Sequence, residues 1–122
     1  MPDILCDTSF MMHMACYQIK NIDALDTEIG PVRFLVPDVV LRELVGLSMD
    51  SNKSLAASAA LERAKKMPEI KIGKQRADSA LVKYISKHGG VVATLDKKLK
   101  SEIKKYGGSI MSVHNDRIVI ES

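Results

Sequence analysis

The sequence predicts an α/β fold: a three-layer α/β/α sandwich with a mainly parallel central sheet of four or five strands. Apolar runs of strand length alternate along the chain with longer amphipathic segments, which is typical of parallel sheets with helices on both faces. Two of the amphipathic segments end at glycine pairs, Gly89-Gly90 and Gly107-Gly108, a common C-terminal signal of helices. The 122 residues are expected to form a single domain over 1–122.

The first half of the chain predicts two strands and four helices. Thr8 and Ser9 are good helix N-caps after an apolar strand. Pro37 and Asp38 end the next strand and begin a helix, because the positive N-terminus of a helix favours an aspartate. An alanine-rich helix then stops at Pro68. The strands are expected at residues 4–6 and 33–36, and the helices at 10–18, 21–28, 38–47 and 54–66.

The second half predicts four further apolar runs of strand length and two helices. The runs are residues 70–72, 91–95, 109–113 and 118–120, and the helices are 77–88 and 96–106. Right-handed crossovers place the functional groups of such a fold at the carboxyl ends of its parallel strands. Asp7 follows the first strand and Asp96 follows the strand at 91–95. We therefore expect both carboxylates at the same edge of the sheet.

Composition and charge indicate which classes of protein the sequence fits. Cys6 and Cys16 are too few for a disulfide framework and indicate reduced thiols in a cytoplasmic protein. The first residues have no basic segment typical of a secretory signal, and no apolar stretch has the length of a membrane span. Residues 1–61 hold 4 basic and 8 acidic residues, a net charge of −4, whereas residues 62–122 hold 14 and 7, a net of +7. This division fits either an acidic site beside a basic surface or solvated helix faces.

Four acidic residues have ordinary structural explanations when each is taken alone. Asp7 and Asp96 directly follow strands and could cap the helices after them. Asp78 lies near the start of a helix, where an aspartate matches the helix dipole. Glu43 lies among apolar neighbours, and the residue four positions later is Leu47 rather than a lysine, so a surface ion pair along the helix does not explain it.

Together, these acidic residues occur in an order that resembles the PIN domain family. The resemblance extends from Ile4 to about Val113, and its most specific part is the segment from Val92 to Asp96. Within the family, the chain looks closest to VapC-like toxin nucleases and to archaeal relatives of the small-subunit ribosome-processing PIN nucleases. The matching motifs are strand-Asp7-Thr8-Ser9, Pro37-x-x-Val40-x-x-Glu43-Leu44, Ala77-Asp78 and Ala93-Thr94-x-Asp96.

The resemblance implies a metal-dependent endoribonuclease that hydrolyses RNA phosphodiester bonds. It implies a site of carboxylates that hold Mg²⁺ or Mn²⁺, hard ions that prefer carboxylate oxygens. The residues on the family's acidic positions are Asp7, Glu43, Asp78 and Asp96, and those on its supporting hydroxyl positions are Thr8 and Thr94. The implied role is ribosomal RNA processing or that of a toxin–antitoxin RNase. The implied partners are RNA (an rRNA precursor, tRNA or mRNA), an antitoxin or ribosome-assembly factors, and a second copy of the chain in a homodimer.

Basic residues next to the acidic positions are candidates for contacts with the RNA backbone. Lys97, Lys98 and Lys100 follow Asp96, and Arg76 precedes Asp78 by two residues. The alternative is that these lysines only solvate a helix. No cluster of aromatic residues suitable for base stacking is evident, so the sequence predicts little sequence-specific base recognition.

Two other classes of protein compete with the nuclease. The first is a catalytically silent PIN module that binds RNA or a protein partner, and the presence of all four acidic residues argues against it. The second is a receiver-like or nucleotide-binding α/β domain, which would need a further acidic residue and a matching lysine, or a glycine-rich phosphate loop. His13 and Cys16 lie three residues apart, but no second pair accompanies them, so core packing is expected rather than zinc binding.

Overall fold

The computed structural model describes residues 3–20 and 30–121, which form six strands and five helices. The strands are β1 (Asp3–Cys6), β2 (Arg33–Pro37), β3 (Glu69–Ile70), β4 (Val91–Ala93), β5 (Ser109–His114) and β6 (Arg117–Glu121). The helices are α1 (Thr8–Cys16), α2 (Asp38–Ser48), α3 (Ser54–Ala64), α4 (Ala77–His88) and α5 (Lys97–Lys105). No helix of these two segments is both long and apolar enough to cross a lipid bilayer.

The strands form one sheet in the order β3-β2-β1-β4-β5-β6. All neighbouring pairs are parallel except β5 and β6, which form an antiparallel hairpin. The predicted fold class, an α/β protein with a mainly parallel sheet, is confirmed. The sheet has six strands rather than the expected four or five, because the short run at 69–70 and the last apolar run both join its edges.

Alternating side chains of the strands supply two separate apolar cores, one on each face of the sheet. Ile4 and Cys6 of β1 pack with α1, α2 and α3, while Leu5 between them packs with α4 and α5. The large buried side chains of the first core include Phe10 and Leu44. Those of the second core include Leu81, Ile85, Leu99, Ile103 and Ile110. The two cores make the three layers that the sequence predicts.

The bounds of most elements lie within two residues of those expected from sequence. α4 has the predicted bounds, since Gly89 follows it with a φ of 68°, which glycine adopts at low cost. α1 begins at Thr8, two residues before the expected position, and β4 ends at Ala93, two residues before it. The predicted helix at 21–28 lies outside the described residues.

The order of the strands determines where the functional groups lie. β1 is the third strand of six, between β2 and β4, so the residues after β1 and β4 emerge side by side. The backbone N–H of Asp7 donates to the carbonyl of Ala93 at 2.9 Å, which extends the pairing of β1 and β4 by one step. The carboxyl ends of the two central strands therefore meet at one edge, where α1, α2, α4 and α5 begin or pass.

Candidate active site

Four carboxylates line one cavity of about 290 Å³ at the carboxyl edge of the sheet. We call it the carboxylate cavity. Asp7 follows β1, Glu43 belongs to α2, Asp78 lies in the first turn of α4, and Asp96 precedes α5. Its other lining residues include Thr8, Ser9 and Arg76. The structure thus brings together the four acidic residues that the motifs selected from distant parts of the chain.

Asp7 is the buried member of the four, with 7% of its surface exposed. Its Oδ2 accepts hydrogen bonds from Thr94 Oγ1 at 2.9 Å and from Ser9 Oγ at 3.0 Å. Burial raises the pKa of Asp7, and the nearby Glu43 carboxylate raises it further, whereas the hydrogen bonds from Thr94 and Ser9 lower it. A bound cation would stabilise the ionised form of Asp7 where burial opposes it.

Thr94 is fully buried and links the ends of β1 and β4. Besides donating to Asp7, its Oγ1 accepts a hydrogen bond from the backbone N–H of Asp96 at 3.1 Å. Ser9 Oγ accepts from the backbone N–H of Leu95 at 3.1 Å and lies 3.1 Å from Thr94 Oγ1. The turn after β4 is therefore built by the hydroxyl groups of the site, which explains why the strand ends before Thr94.

Ser9 and Thr8 do not cap α1, contrary to the expectation from sequence. The N-cap residue of α1 is Asp7, whose side chain makes no capping hydrogen bond. Thr8 Oγ1 instead donates to Glu43 Oε1 at 2.9 Å, and Ser9 Oγ donates to Asp7. The hydroxyl groups are directed across the cavity because α1 begins at the same sheet edge as the carboxylates.

Glu43 joins three elements around the carboxylate cavity. Its Oε1 accepts from Thr8 at the start of α1, and its Oε2 accepts from the backbone N–H of Ala77 at 2.9 Å. Ala77 is the first residue of α4, and the preceding Arg76 makes no side-chain capping bond there. Glu43 thus supplies from α2 the acceptor that the N-terminus of α4 requires.

Asp96 and Asp78 are the exposed members of the set. Asp96 is the N-cap of α5, and its Oδ1 accepts from the backbone N–H groups of Lys98 at 2.9 Å and Leu99 at 3.3 Å. The structural explanation for Asp96, helix capping, is therefore correct, and the same carboxylate also lines the cavity. Asp78 Oδ1 accepts from the backbone N–H of Ser79 at 2.9 Å.

The chemistry of this donor set fits a hard divalent cation. Mg²⁺ is usually held through one or two carboxylates and keeps several waters, and the cavity offers four carboxylates with Arg76 as its charged neighbour. Within residues 3–20 and 30–121, no three His, Cys, Asp or Glu side chains are grouped closely enough to hold one ion together. The fit therefore rests on the shared cavity and on the buried Asp7, rather than on a preformed three-ligand cage.

The four basic residues selected from sequence do not lie in one place. Arg76 lines the carboxylate cavity. Lys98 lines a second cavity beside it, and Lys97 is exposed on the first turn of α5. The ammonium group of Lys100 contacts Ser112 Oγ and lies 3.4 Å from Glu121 Oε2, on the side of α5 that faces β5 and β6. The structure does not bring Lys100 to the carboxylate cavity.

The second cavity was not foreseen from sequence. It is a groove of about 500 Å³ between α4 and α5, and it shares Asp78, Asp96 and Leu99 with the carboxylate cavity. We call it the α4–α5 groove. Tyr106 lines its far end and is 47% exposed. The spacing of Leu99, Glu102 and Tyr106 by three and four residues, which places them on one helix face, was the available sequence signal.

Comparison with known proteins finds similarity to a family model and to solved structures. The family model described as "PIN like domain" matches residues 4–115. Among solved structures, that of the PIN domain endonuclease Utp24 superposes with a TM-score of 0.78 at 26% sequence identity, covering 98% of this chain and 90% of that one. No curated protein matches the chain.

Proposed function

Because the chain belongs to the PIN-like domain family, we propose that it is an endoribonuclease that depends on Mg²⁺ or Mn²⁺. The observation that carries the proposal is the convergence of Asp7, Glu43, Asp78 and Asp96 on one cavity at the carboxyl ends of β1 and β4. The similarity to an endonuclease structure over nearly the whole chain supports it. Carboxylates grouped without a cation repel one another, which is consistent with a site that binds metal.

In this proposal, the carboxylates of Asp7, Glu43, Asp78 and Asp96 would hold the metal from around the cavity, directly or through bound water. A metal held there would supply Lewis-acid chemistry, which lowers the pKa of a bound water molecule and offsets the charge that develops on a scissile phosphate. Thr94 and Ser9 hold the Asp7 carboxylate in its orientation through their hydroxyl groups. Glu43 orients Thr8 and the first turn of α4, which carries Asp78.

Arg76 has a separate role in the proposal. It is the basic residue that lines the carboxylate cavity, so its guanidinium can pair with a phosphate oxygen of the RNA backbone. An acidic pocket repels a polyanion, and a guanidinium at its rim reduces that repulsion. The substrate proposed is single-stranded RNA, such as a ribosomal RNA precursor, and the similarity to an endonuclease structure over 98% of this chain supports cleavage of a nucleic acid.

The proposal is tested by cleavage of a fluorescent single-stranded RNA by wild-type protein in Mg²⁺, in Mn²⁺ and in excess EDTA. Cleavage should require the metal, and Asp7→Asn should lower it by at least about a hundredfold, because a ligand charge is lost at the metal. Asp50→Asn is the matched control, since Asp50 caps a turn away from the cavity, at Asn52. Cleavage that persists in EDTA, or that Asp7→Asn leaves unchanged, contradicts the mechanism.

The second candidate function is that of a catalytically silent PIN module, which binds RNA without cleaving it. It is favoured by the finding that, within the described segments, no three acidic, histidine or cysteine side chains are grouped for a single ion. A silent module would bind the RNA of the same assay without cutting it in either metal. Binding measured in parallel with cleavage therefore separates the two functions.

A further inference from the structure

The α4–α5 groove runs from the carboxylate cavity along the two helices of the second layer. Its near end is formed by Asp78 and Asp96, the two exposed carboxylates that also line the carboxylate cavity. A substrate whose phosphate occupies the carboxylate cavity therefore has a continuous path into the groove. A volume of about 500 Å³ lies within the range of about 300–1,000 Å³ that is usual for small-molecule sites.

The lining of the groove combines the chemical groups that a nucleotide requires. Val82 and Leu99 give it an apolar floor, and Tyr106 provides an aromatic ring at its far end. Lys83 on α4 and Lys98 on α5 are exposed on its walls, so a phosphate in the groove can meet an ammonium group from either side. These groups come from two helices and meet only in the folded chain.

Glu102 is the carboxylate of the groove that lies away from the proposed metal site. It is half-buried on α5, between the turns that carry Leu99 and Tyr106. A carboxylate repels phosphate but accepts hydrogen bonds from the exocyclic amino groups of bases. Its place in the groove therefore favours a base, rather than a phosphate, beside Tyr106.

We propose that the α4–α5 groove is a nucleotide subsite, which binds one nucleotide of single-stranded RNA next to the phosphate that lies in the carboxylate cavity. The base stacks on Tyr106 and donates a hydrogen bond to Glu102, while Lys83 and Lys98 contact the neighbouring phosphates. This inference rests on the proposed function, because the phosphate in the carboxylate cavity determines where the RNA enters the groove. It adds a specificity-determining contact, because the exocyclic amino group of cytosine donates to a carboxylate at the position where uracil has a carbonyl oxygen, which a carboxylate repels.

Binding of short RNA in EDTA tests the subsite without cleavage. The probes are 5′-fluorescein-labelled oligocytidylate and oligouridylate of equal length, titrated with the full chain. Tyr106→Ala should weaken binding of both by about tenfold, in the range of base–aromatic stacking, whereas Tyr106→Phe should retain it. Glu102→Ala should reduce the preference for oligocytidylate several-fold. Tyr17→Ala is the matched control, because Tyr17 is 62% exposed and lines a different cavity.

The cleavage assay in metal then separates this inference from the proposed function. Tyr106→Ala should raise KM and leave kcat nearly unchanged, since the lost contact is equal in ground state and transition state. If wild-type protein cleaves RNA and the Tyr106 and Glu102 variants bind and cleave RNA as well as wild type does, the proposed subsite is wrong but the proposed nuclease function is supported. If Tyr106→Ala weakens RNA binding but wild-type protein does not cleave RNA, the proposed subsite is supported and the proposed nuclease function is contradicted. Wild-type protein that binds neither probe overturns the subsite.

Discussion

The carboxylate of Glu43 on α2 accepts a hydrogen bond of 2.9 Å from the backbone N–H of Ala77, the first residue of α4. The start of α4 packs in the same core as Leu44 of α2 through Ala77 and Ala80, whereas Leu81 and Ile85 pack in the core on the other face of the sheet. The bond therefore links α2 to α4 where the two layers meet around the sheet edge. The same carboxylate also accepts a hydrogen bond from the hydroxyl group of Thr8. A residue that the motifs select for chemistry is thus also part of the framework that positions Asp78.

Glu43→Ala should lower the free energy of unfolding by about 1–2 kcal/mol in the absence of metal. The variant removes the acceptor at the N-terminus of α4, which costs about as much as the loss of an N-cap, and it leaves Thr8 without its partner. Urea unfolding in EDTA measures the difference. Glu62→Ala is the control, because Glu62 forms an exposed pair with Lys65 and should change stability by less than about 0.5 kcal/mol. Equal effects of the two substitutions would contradict the role of Glu43.

Thr94→Val should destabilise the protein by about 1–3 kcal/mol, although valine has nearly the same shape. The substitution removes a buried hydroxyl that donates to Asp7 and accepts from the backbone N–H of Asp96, and it leaves that N–H unpaired. It should also raise the pKa of Asp7 further, since a hydrogen bond that lowers it is lost. Urea unfolding in EDTA is the measurement, with Ser86→Ala on exposed α4 surface as the near-neutral control.

Glu121 should make stability depend on acid pH. Its pKa is lowered from 4.5 to about 2, chiefly by the hydrogen bond from Lys104, with contributions from Lys100 and His114. The folded-state pKa is depressed, so this stabilisation is fully present above the ordinary value of 4.5 and is lost as the pH falls through about 2.

The matched variant for this prediction is Glu121→Gln. It should be less stable than wild type by at most about 1 kcal/mol above the ordinary pKa, because the ion pairs lie near the surface. The difference in free energy of unfolding between the two proteins should shrink as the pH falls from 4.5 to about 2. Denaturant unfolding across this pH range is the measurement, and a difference that does not change with pH would exclude the ionic origin.

Three of the lysines of α5, Lys97, Lys98 and Lys100, should behave differently in RNA binding. Lys97 and Lys98 are exposed beside the site, whereas Lys100 is held by Ser112 and Glu121. The double variant Lys97→Ala, Lys98→Ala should weaken RNA binding for all sequences and flatten the slope of log affinity against log salt by about 0.7–1 per lost phosphate contact. Lys100→Ala should lower stability with little effect on that slope. A common effect of all three in a salt series would show that they act only through net charge.

Much of the fold could be predicted from sequence because local signals agree with the tertiary structure. The helix at 77–88 has an apolar face and ends at Gly89, and these features act within a few residues of each other. The edges of the sheet were harder to predict. β3 has only two residues, and its pairing with Val36 and Pro37 is fixed by the position of β2 rather than by its own sequence.

The acidic residues of the candidate site could be predicted from sequence, but the hydrogen bonds around them could not. The resemblance to the PIN domain family selects Asp7, Glu43, Asp78 and Asp96, yet it gives no distance between them. The partner of Ser9 is Asp7 rather than the helix that it was expected to cap, and the partner of Lys100 is Glu121, 21 residues away. The contacts of Ser9 with Leu95 and of Lys100 with Glu121 join segments that are distant along the chain, so no local pattern encodes them.

The place of β1 in the sheet also determines the order in which the molecule can fold. β5 and β6 are joined by the two residues Asn115 and Asp116, both with positive φ, and a hairpin with such a turn closes in about 1–10 μs. Ile4, in contrast, must find its partner at Val91 across most of the chain, and contacts of such long sequence separation slow folding. During synthesis, β1 leaves the ribosome first but gains its second neighbour only after β4 has followed. The nascent chain therefore lacks a complete carboxylate cavity, the proposed nuclease site, until Asp96 has been made and has joined the sheet.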